Sequence, residues 1–173
     1  SWLAQGGMAA ALDPGDSPAN HALDTVSVGG GIVEVDLATL LTASAADRIA
    51  WLRDLGAQFD TNDDGKLSLG REAGHGRRRI VHAGGDATGA EIMRAMRQAT
   101  LQRPDIDLIP HTRLIDLVRS DDGAAGVLTR TADGHTVAHL GSGVALATGG
   151  IGGVYARSTN PADVTGTGLA AAA

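Results

Sequence analysis

The stretch at 70–89 constrains this chain more than any other. It reads Gly70, Arg71, Glu72, Ala73, Gly74, His75, Gly76, Arg77, Arg78, Arg79, Ile80, Val81, His82, Ala83, Gly84, Gly85, Asp86, Ala87, Thr88, Gly89. Glycine loses more backbone freedom on ordering than any other residue, so an uninterrupted helix or strand is a poor use of this segment. Tight turns are a good one, because a chain without side-chain bulk can press its backbone against a ligand. Arginine supplies planar donor forks that match carboxylates and phosphates. Glu72, set among Arg71, Arg77, Arg78 and Arg79, is an anion able to hold a positively charged substrate group. A solvated basic loop is the alternative reading.

Two further segments give the block its context. Ala4-Gln5-Gly6-Gly7 forms a small-residue turn before Met8, and Ala147-Thr148-Gly149-Gly150 is followed by Tyr155 and Thr159-Asn160-Pro161. Together with Arg71, Glu72, Gly74, His75, Arg78, Arg79, Ile80, His82, Asp86, Thr88 and Gly89, these segments resemble the L-aspartate oxidases, within the wider succinate dehydrogenase/fumarate reductase flavoprotein family. The family pattern is A-Q-G-G, then R-E-G-G-H, two residues, R-R-I, H and D-x-T-G, then A-T-G-G and T-N-P, in that order. A-T-G-G alone is weak; the R-E-x-G-H block with the other two in order is specific. The resemblance runs nearly end to end.

Composition narrows the partners. A net charge of -6 and a pI near 5.3 argue against nucleic acid or an anionic membrane as the main partner. With no cysteine there is neither a disulfide framework nor a cysteine-ligated metal, which suits a reducing, cytoplasmic setting. No apolar run approaches the roughly 20 residues of a membrane span. Aromatics make up only 2% while glycine numbers 25, as suits a ligand-cradling α/β chain. Ser1 begins inside the flavin motif and Leu169-Ala170-Ala171-Ala172-Ala173 reads as a helix just begun. The expectation is a partial FAD-binding domain over 1–173, truncated at both ends.

The period of the apolar residues places the elements. Ser17-Pro18 predicts an N-cap and first helical residue, with the helix running to about Val28 and stopped by Gly29-Gly30-Gly31. Asp36 is expected to cap a longer helix carrying Leu37, Leu40, Leu41, Ala45, Ile49 and Leu52 on its buried face and ending at Gly56. Thr88 and Glu91 match a capping box, with Ile92, Met93, Met96 and Ala99 facing inward and Pro104 beyond the end. From Ile106 the period changes, and 106–109, 114–118, 126–130, 136–140 and 144–147 read as short strands. Asp121-Asp122-Gly123 and Asp133-Gly134 are hairpin turns between them. The pattern reads as α/β, helices first and short strands and hairpins after; the resemblance implies a partial Rossmann-like FAD-binding domain, without the N-terminal βαβ fingerprint or the capping domain of family members. No clear domain boundary is visible.

Two other segments carry rival motifs. Asp60, Asn62, Asp64 and Gly65 fit the opening of a calcium loop, but the position needing a bidentate Glu is Arg71, so a hairpin turn is expected instead. Gly150-Ile151-Gly152-Gly153-Val154-Tyr155 approaches a dinucleotide fingerprint but ends on Tyr155, with Pro161 nearby, so a glycine turn at a strand end is expected. His75 and His82 have no third ligand for a metal; one of them lining a site is the better reading. His21, His111, His135 and His139 read as surface or strand residues, and Trp2 and Trp51 as packing residues.

The resemblance implies FAD as cofactor and L-aspartate as substrate. Aspartate would give iminoaspartate, with oxygen or fumarate as electron acceptor, as the first step of NAD biosynthesis. It assigns Glu72 to orienting the substrate amino group, with Arg71, His75 and Arg78 as candidate partners of the carboxylates. It assigns flavin contacts to Trp2, Leu3, Ala4, Gln5, Gly6, Gly7, Arg113, Leu114, Thr148, Gly149 and Gly150. Gly166 and Gly168 match the family's G-D-G, but Thr167 replaces its Asp. Family members' main catalytic arginine lies in a capping domain, so the chain alone is expected to be inactive and to hold FAD weakly. The alternatives are a succinate dehydrogenase or fumarate reductase flavoprotein subunit, or a non-catalytic fragment.

Overall fold

Ser17 accepts a hydrogen bond from the Asn20 amide at 3.1 Å and Pro18 follows it, so helix α1 (Pro18–Val28) starts where its sequence predicts. Gly30 and Gly31, at φ 61° and 84°, turn the chain out of it. The computed structural model describes residues 2–173, and these divide between Ile106 and Asp107 into two compact units. That division falls where the apolar period changes, although no boundary was expected there.

In the first unit, α1 packs against α2 (Val35–Asp54). The cap of α2 is Glu34 rather than Asp36, which lies in the first turn, where a carboxylate still favours the helix dipole. Gly56 at φ 88° ends it as expected. The buried face is Ala38, Thr42, Ile49 and Leu52, whereas Leu37, Leu40 and Leu41 are exposed. Periodicity allowed two adjacent stripes, and the one with the smaller side chains in its first half is covered. Helix α3 (Thr88–Leu101) departs from the capping box: Ala87 is its cap, and the Thr88 hydroxyl accepts from the Ala83 amide. Glu91 turns instead to Arg94 and the Gln58 amide. Ala95 is the apolar residue that α3 buries, with Ile92 half-buried and Met93 and Met96 exposed.

Three short strands cross this unit: β1 (Met8–Ala9), β2 (Leu69–Gly70) and β3 (Ile80–Val81), antiparallel in the order β1-β3-β2. They were not anticipated, because two-residue strands carry no readable alternation. Around Val81 the core gathers Ala10, Ile49, Leu52, Ala57, Phe59, Ala83 and Ala95, mostly small residues. The segment at 60–71 is a hairpin turn: Thr61 pairs with Leu67, and Asn62 takes the Lys66 and Gly65 amides. Asp60 is already committed to the Gly84 and Gly85 amides at 2.8 and 3.0 Å.

The second unit is an antiparallel meander, β4 (Arg113–Ser120), β5 (Gly123–Arg130) and β6 (Thr136–Leu140). Both expected turns appear, with Gly123 and Gly134 at positive φ. A short helix, α4 (Thr167–Ala172), packs on β4. Segments 106–109 and 144–147 are not strands, since neither has a ladder partner among the described residues. Their apolar residues Ile106, Leu108, Ile109 and Leu146 are exposed. Among the described residues, no helix is long and apolar enough to cross a membrane.

Candidate functional site

The block at 70–89 is the β2–β3 connection and the approach to α3. The Arg79 amide bonds Gly70 and its carbonyl takes the Ala10 amide, so the loop at 71–79 leaves and re-enters one small sheet. Of its arginines, Arg79 is fully buried. It holds Asp16 through Nε and Nη2 at 2.8 and 2.9 Å and Asp24 through Nη1 at 2.7 Å. Asp24 also accepts from the Gly76 amide at 2.7 Å. Burial pushes the Asp16 carboxyl up, but the Arg79 hydrogen bonds outweigh this and hold it below its ordinary value. The Gly76 amide, then Arg79, do the same for Asp24. Arg79 is thus the pin of the loop, a role that no local signal separates from its two neighbours.

Glu72 is different. Its side chain is 52% exposed, and its Oε1 lies 2.9 Å from His82 Nε2. Glu72, His82, Arg78, Asp60, Gly70 and Gly85 line one shallow groove of about 350 Å³. Arg78 crosses to the Leu69 carbonyl at 3.3 Å. Arg71 is exposed on the same loop. His75 stands apart from the groove: its Nδ1 is 3.4 Å from Arg79 Nη1, and its ring meets His21 edge-on at 5.3 Å. His21 is buried, contrary to the expected surface position, because α1 turns it toward the Arg79 cluster. Burial, then the Arg79 charge, push its pKa below the ordinary value.

The turn at 4–7 joins this site. The Ala4 carbonyl takes the Gly89 amide at 2.9 Å, and Gln5 Nε2 donates to Asp86 at 3.3 Å. Gly7, at φ 72°, presses on β3: a Cβ there would lie 2.7 Å from the Val81 carbonyl oxygen. Gly6 faces open space, and Trp2 and Leu3 are exposed. Trp51 is half exposed too, so neither tryptophan is a core residue; the core is built from small side chains. In the second unit, Thr148, Gly149 and Gly150 come together with Thr167. Gly150 accepts the Gly166 amide at 3.0 Å, and a Cβ on Gly168 would lie 2.9 Å from Thr148 Cβ. Gly149 and Gly166 both need positive φ, 77° and 72°. Gly152–Val154 forms a single 3₁₀ turn rather than the helix a dinucleotide fingerprint requires. Arg113 and Leu114 open β4, opposite Arg130 and Thr129.

These features fit a flavin. An exposed turn whose Gly6 leaves its backbone uncovered can meet a flat ring, and the exposed Thr148–Gly150 turn offers a second such surface. Thr167 brings a hydroxyl, bonded to Thr165 at 3.0 Å.

Comparison with known proteins agrees. The L-aspartate oxidase of Streptomyces coelicolor is 43% identical over 98% of this chain and 30% of its own length. That of Mesorhizobium japonicum is 42% identical over 100% of the chain and 34% of its own length. The chain therefore spans about a third of the length of these curated relatives. Among solved structures, a mutant of the E. coli quinol fumarate reductase FrdA superposes with a TM-score of 0.94 at 29% identity. It covers 99% of this chain and 29% of that one. The Mycobacterium smegmatis Sdh1 in complex with UQ1 gives 0.90 at 33% identity, over 99% and 31%. The family described as FAD binding domain matches residues 1–173, and the chain belongs to it.

Proposed function

We propose that the protein carrying this chain is an FAD-dependent L-aspartate oxidase. It converts aspartate to iminoaspartate in the cytoplasm, at the entry to NAD biosynthesis, with oxygen or fumarate as acceptor. The observation that carries this reading is Glu72: a half-exposed carboxylate on a groove shared with Arg78, adjoining through His82 the small-residue turn at 4–7. FAD, when bound, supplies the two-electron acceptor for the hydrogen leaving the aspartate Cα. The chain's own residues bind and orient. Glu72 holds the ammonium through the oxygen that His82 does not use. Arg78 and Arg71 are the cations for the carboxylates; His75 stands apart from the groove with its Nδ1 toward Arg79 and takes no part in holding them. The resemblance assigns cofactor contacts to each unit by itself: Trp2, Leu3, Ala4, Gln5, Gly6 and Gly7 in the first, and Arg113, Leu114, Thr148, Gly149, Gly150 and Thr167 in the second.

The second reading, a fumarate reductase or succinate dehydrogenase subunit, is favoured by the fold likeness to those flavoproteins. Glu72 separates the two, since a dicarboxylate without an amino group gains nothing from an anion in its site. Turnover of the purified, flavin-loaded full-length protein tests them. Peroxide and ammonia released from L-aspartate, with no dye reduction by succinate, is the expected result. Succinate oxidation without aspartate turnover supports the second reading.

A further inference from the structure

We propose that His82 is the positioning residue for Glu72, and that the pair selects dicarboxylates carrying an ammonium group. The inference rests on the role of Glu72 proposed above.

The backbone of His82 is fixed before its ring is considered. The residue follows β3 directly, its carbonyl takes the Asp60 amide at 2.8 Å, and the Met8–Val81 register sets Gly7 opposite it. The ring then lies in a slot kept open by two glycines. A Cβ on Gly7 would sit 3.0 Å from His82 Cε1, and a Cβ on Gly70 would sit 3.3 Å from Nε2 and 3.6 Å from Glu72 Oε1. Side chains at either position would push the ring off the carboxylate.

The polarity of the contact follows from the ring's other edge. Nδ1 is buried and has no hydrogen-bond partner among the described residues. A hydrogen on Nδ1 would be an unsatisfied buried donor and would leave two lone pairs facing each other across 2.9 Å. The hydrogen therefore sits on Nε2 and is donated to Glu72 Oε1. Glu72 is carried by a loop and is half exposed, so without this bond its side chain is free to leave the groove. With it, one oxygen is tethered and the other is presented to the substrate. His82 itself need not touch substrate, which distinguishes it from a catalytic residue.

The test uses the full-length, flavin-loaded protein and measures aspartate kcat/KM beside inhibition by succinate. His82→Leu should lower aspartate kcat/KM about tenfold, the scale of one hydrogen bond to a charged group, while succinate inhibition stays within about twofold. His82→Gln, whose amide donor reaches the Nε2 position, should recover most of the loss, and the shorter His82→Asn should not. In a Glu72→Gln background, His82→Leu should change aspartate kcat/KM by less than about twofold, because the route through Glu72 is already gone. Nitrogen-15 spectra of labelled histidine should show His82 protonated on Nε2, independently of activity. Additive losses in the double variant, equal recovery by Gln and Asn, or an Nδ1-protonated ring would each overturn the proposal while leaving the role of Glu72 intact. If Glu72→Gln alone weakens aspartate and succinate equally, it is the role of Glu72 that fails. Should His82→Leu not fold, the Gln and Asn pair carries the comparison.

Discussion

Arg79 shows how much one side chain can hold. It is fully buried, and the side chain of Asp16 opposite it is covered too, so the pair owes its stability to geometry rather than to screened attraction at a surface. Removing the cation strands a buried carboxylate, which typically costs about 3–5 kcal/mol. Arg79→Met should therefore destabilise the protein by that amount in urea unfolding, and a loss under about 1 kcal/mol would contradict the buried network. The pH dependence has a definite sign. The folded-state pKa values of Asp16 and Asp24 lie below 3.8, so their contribution is present above that value and is lost as the pH falls through the folded-state values. His21 is also depressed, below 6.5, so the unfolded chain binds its proton first and stability falls as the pH drops below about 6.5. Replacing His21 with Gln should flatten that upper part of the acid limb and leave the lower part in place, as read by urea midpoints across pH. None of this was legible in advance. Arg77, Arg78 and Arg79 look alike in sequence, and the partners that single out Arg79, Asp16 just before α1 and Asp24 on it, lie far along the chain.

At the scale of elements, local chemistry was legible at one helix start and at the hairpin turns, though not at the caps of α2 and α3. Ser17-Pro18 fixed the start of α1, and Asp121-Asp122-Gly123 fixed the β4–β5 turn. It failed where a partner decides the outcome. The stripe that α2 buries, and the absence of ladders at 106–109 and 144–147, depend on what packs alongside. The site was legible in part: Glu72 and Arg78 do share a groove and the turn at 4–7 does adjoin it, but His75 turns toward Arg79 instead. The loop at 71–79 also carries a mark of strain. Ala73 sits at φ 49° where the family pattern has glycine. The left-handed region costs a residue with a Cβ roughly 1–2 kcal/mol, and glycine gives back about 0.4–1 through the unfolded chain. Ala73→Gly should thus stabilise by up to about 1 kcal/mol, seen as a raised melting temperature. A lower one would mean that the loop adopts another conformation.

Across the whole molecule, exposed leucines stand out. Leu37, Leu40 and Leu41 are 57%, 63% and 69% exposed, together with Leu23, Val28 and Ile32 on the neighbouring segment. Apolar surface of this extent needs cover. The 173-residue chain expressed alone should bind a hydrophobic dye strongly and purify colourless, since it contains no phosphate-binding fingerprint. A yellow, dye-silent protein would contradict this. The central claim, that an acid in the β2–β3 loop reads the substrate's amino group, is tested most directly by Glu72→Gln in the full-length protein. Losing a charge-assisted bond should cost aspartate roughly 1.5–3 kcal/mol, about one to two decades in kcat/KM, while succinate and fumarate bind as well as before or better. Because two ligands are compared on one variant, a general loss of folding cancels. If aspartate turnover and succinate inhibition fall by the same factor, Glu72 is a structural residue and the claim is wrong.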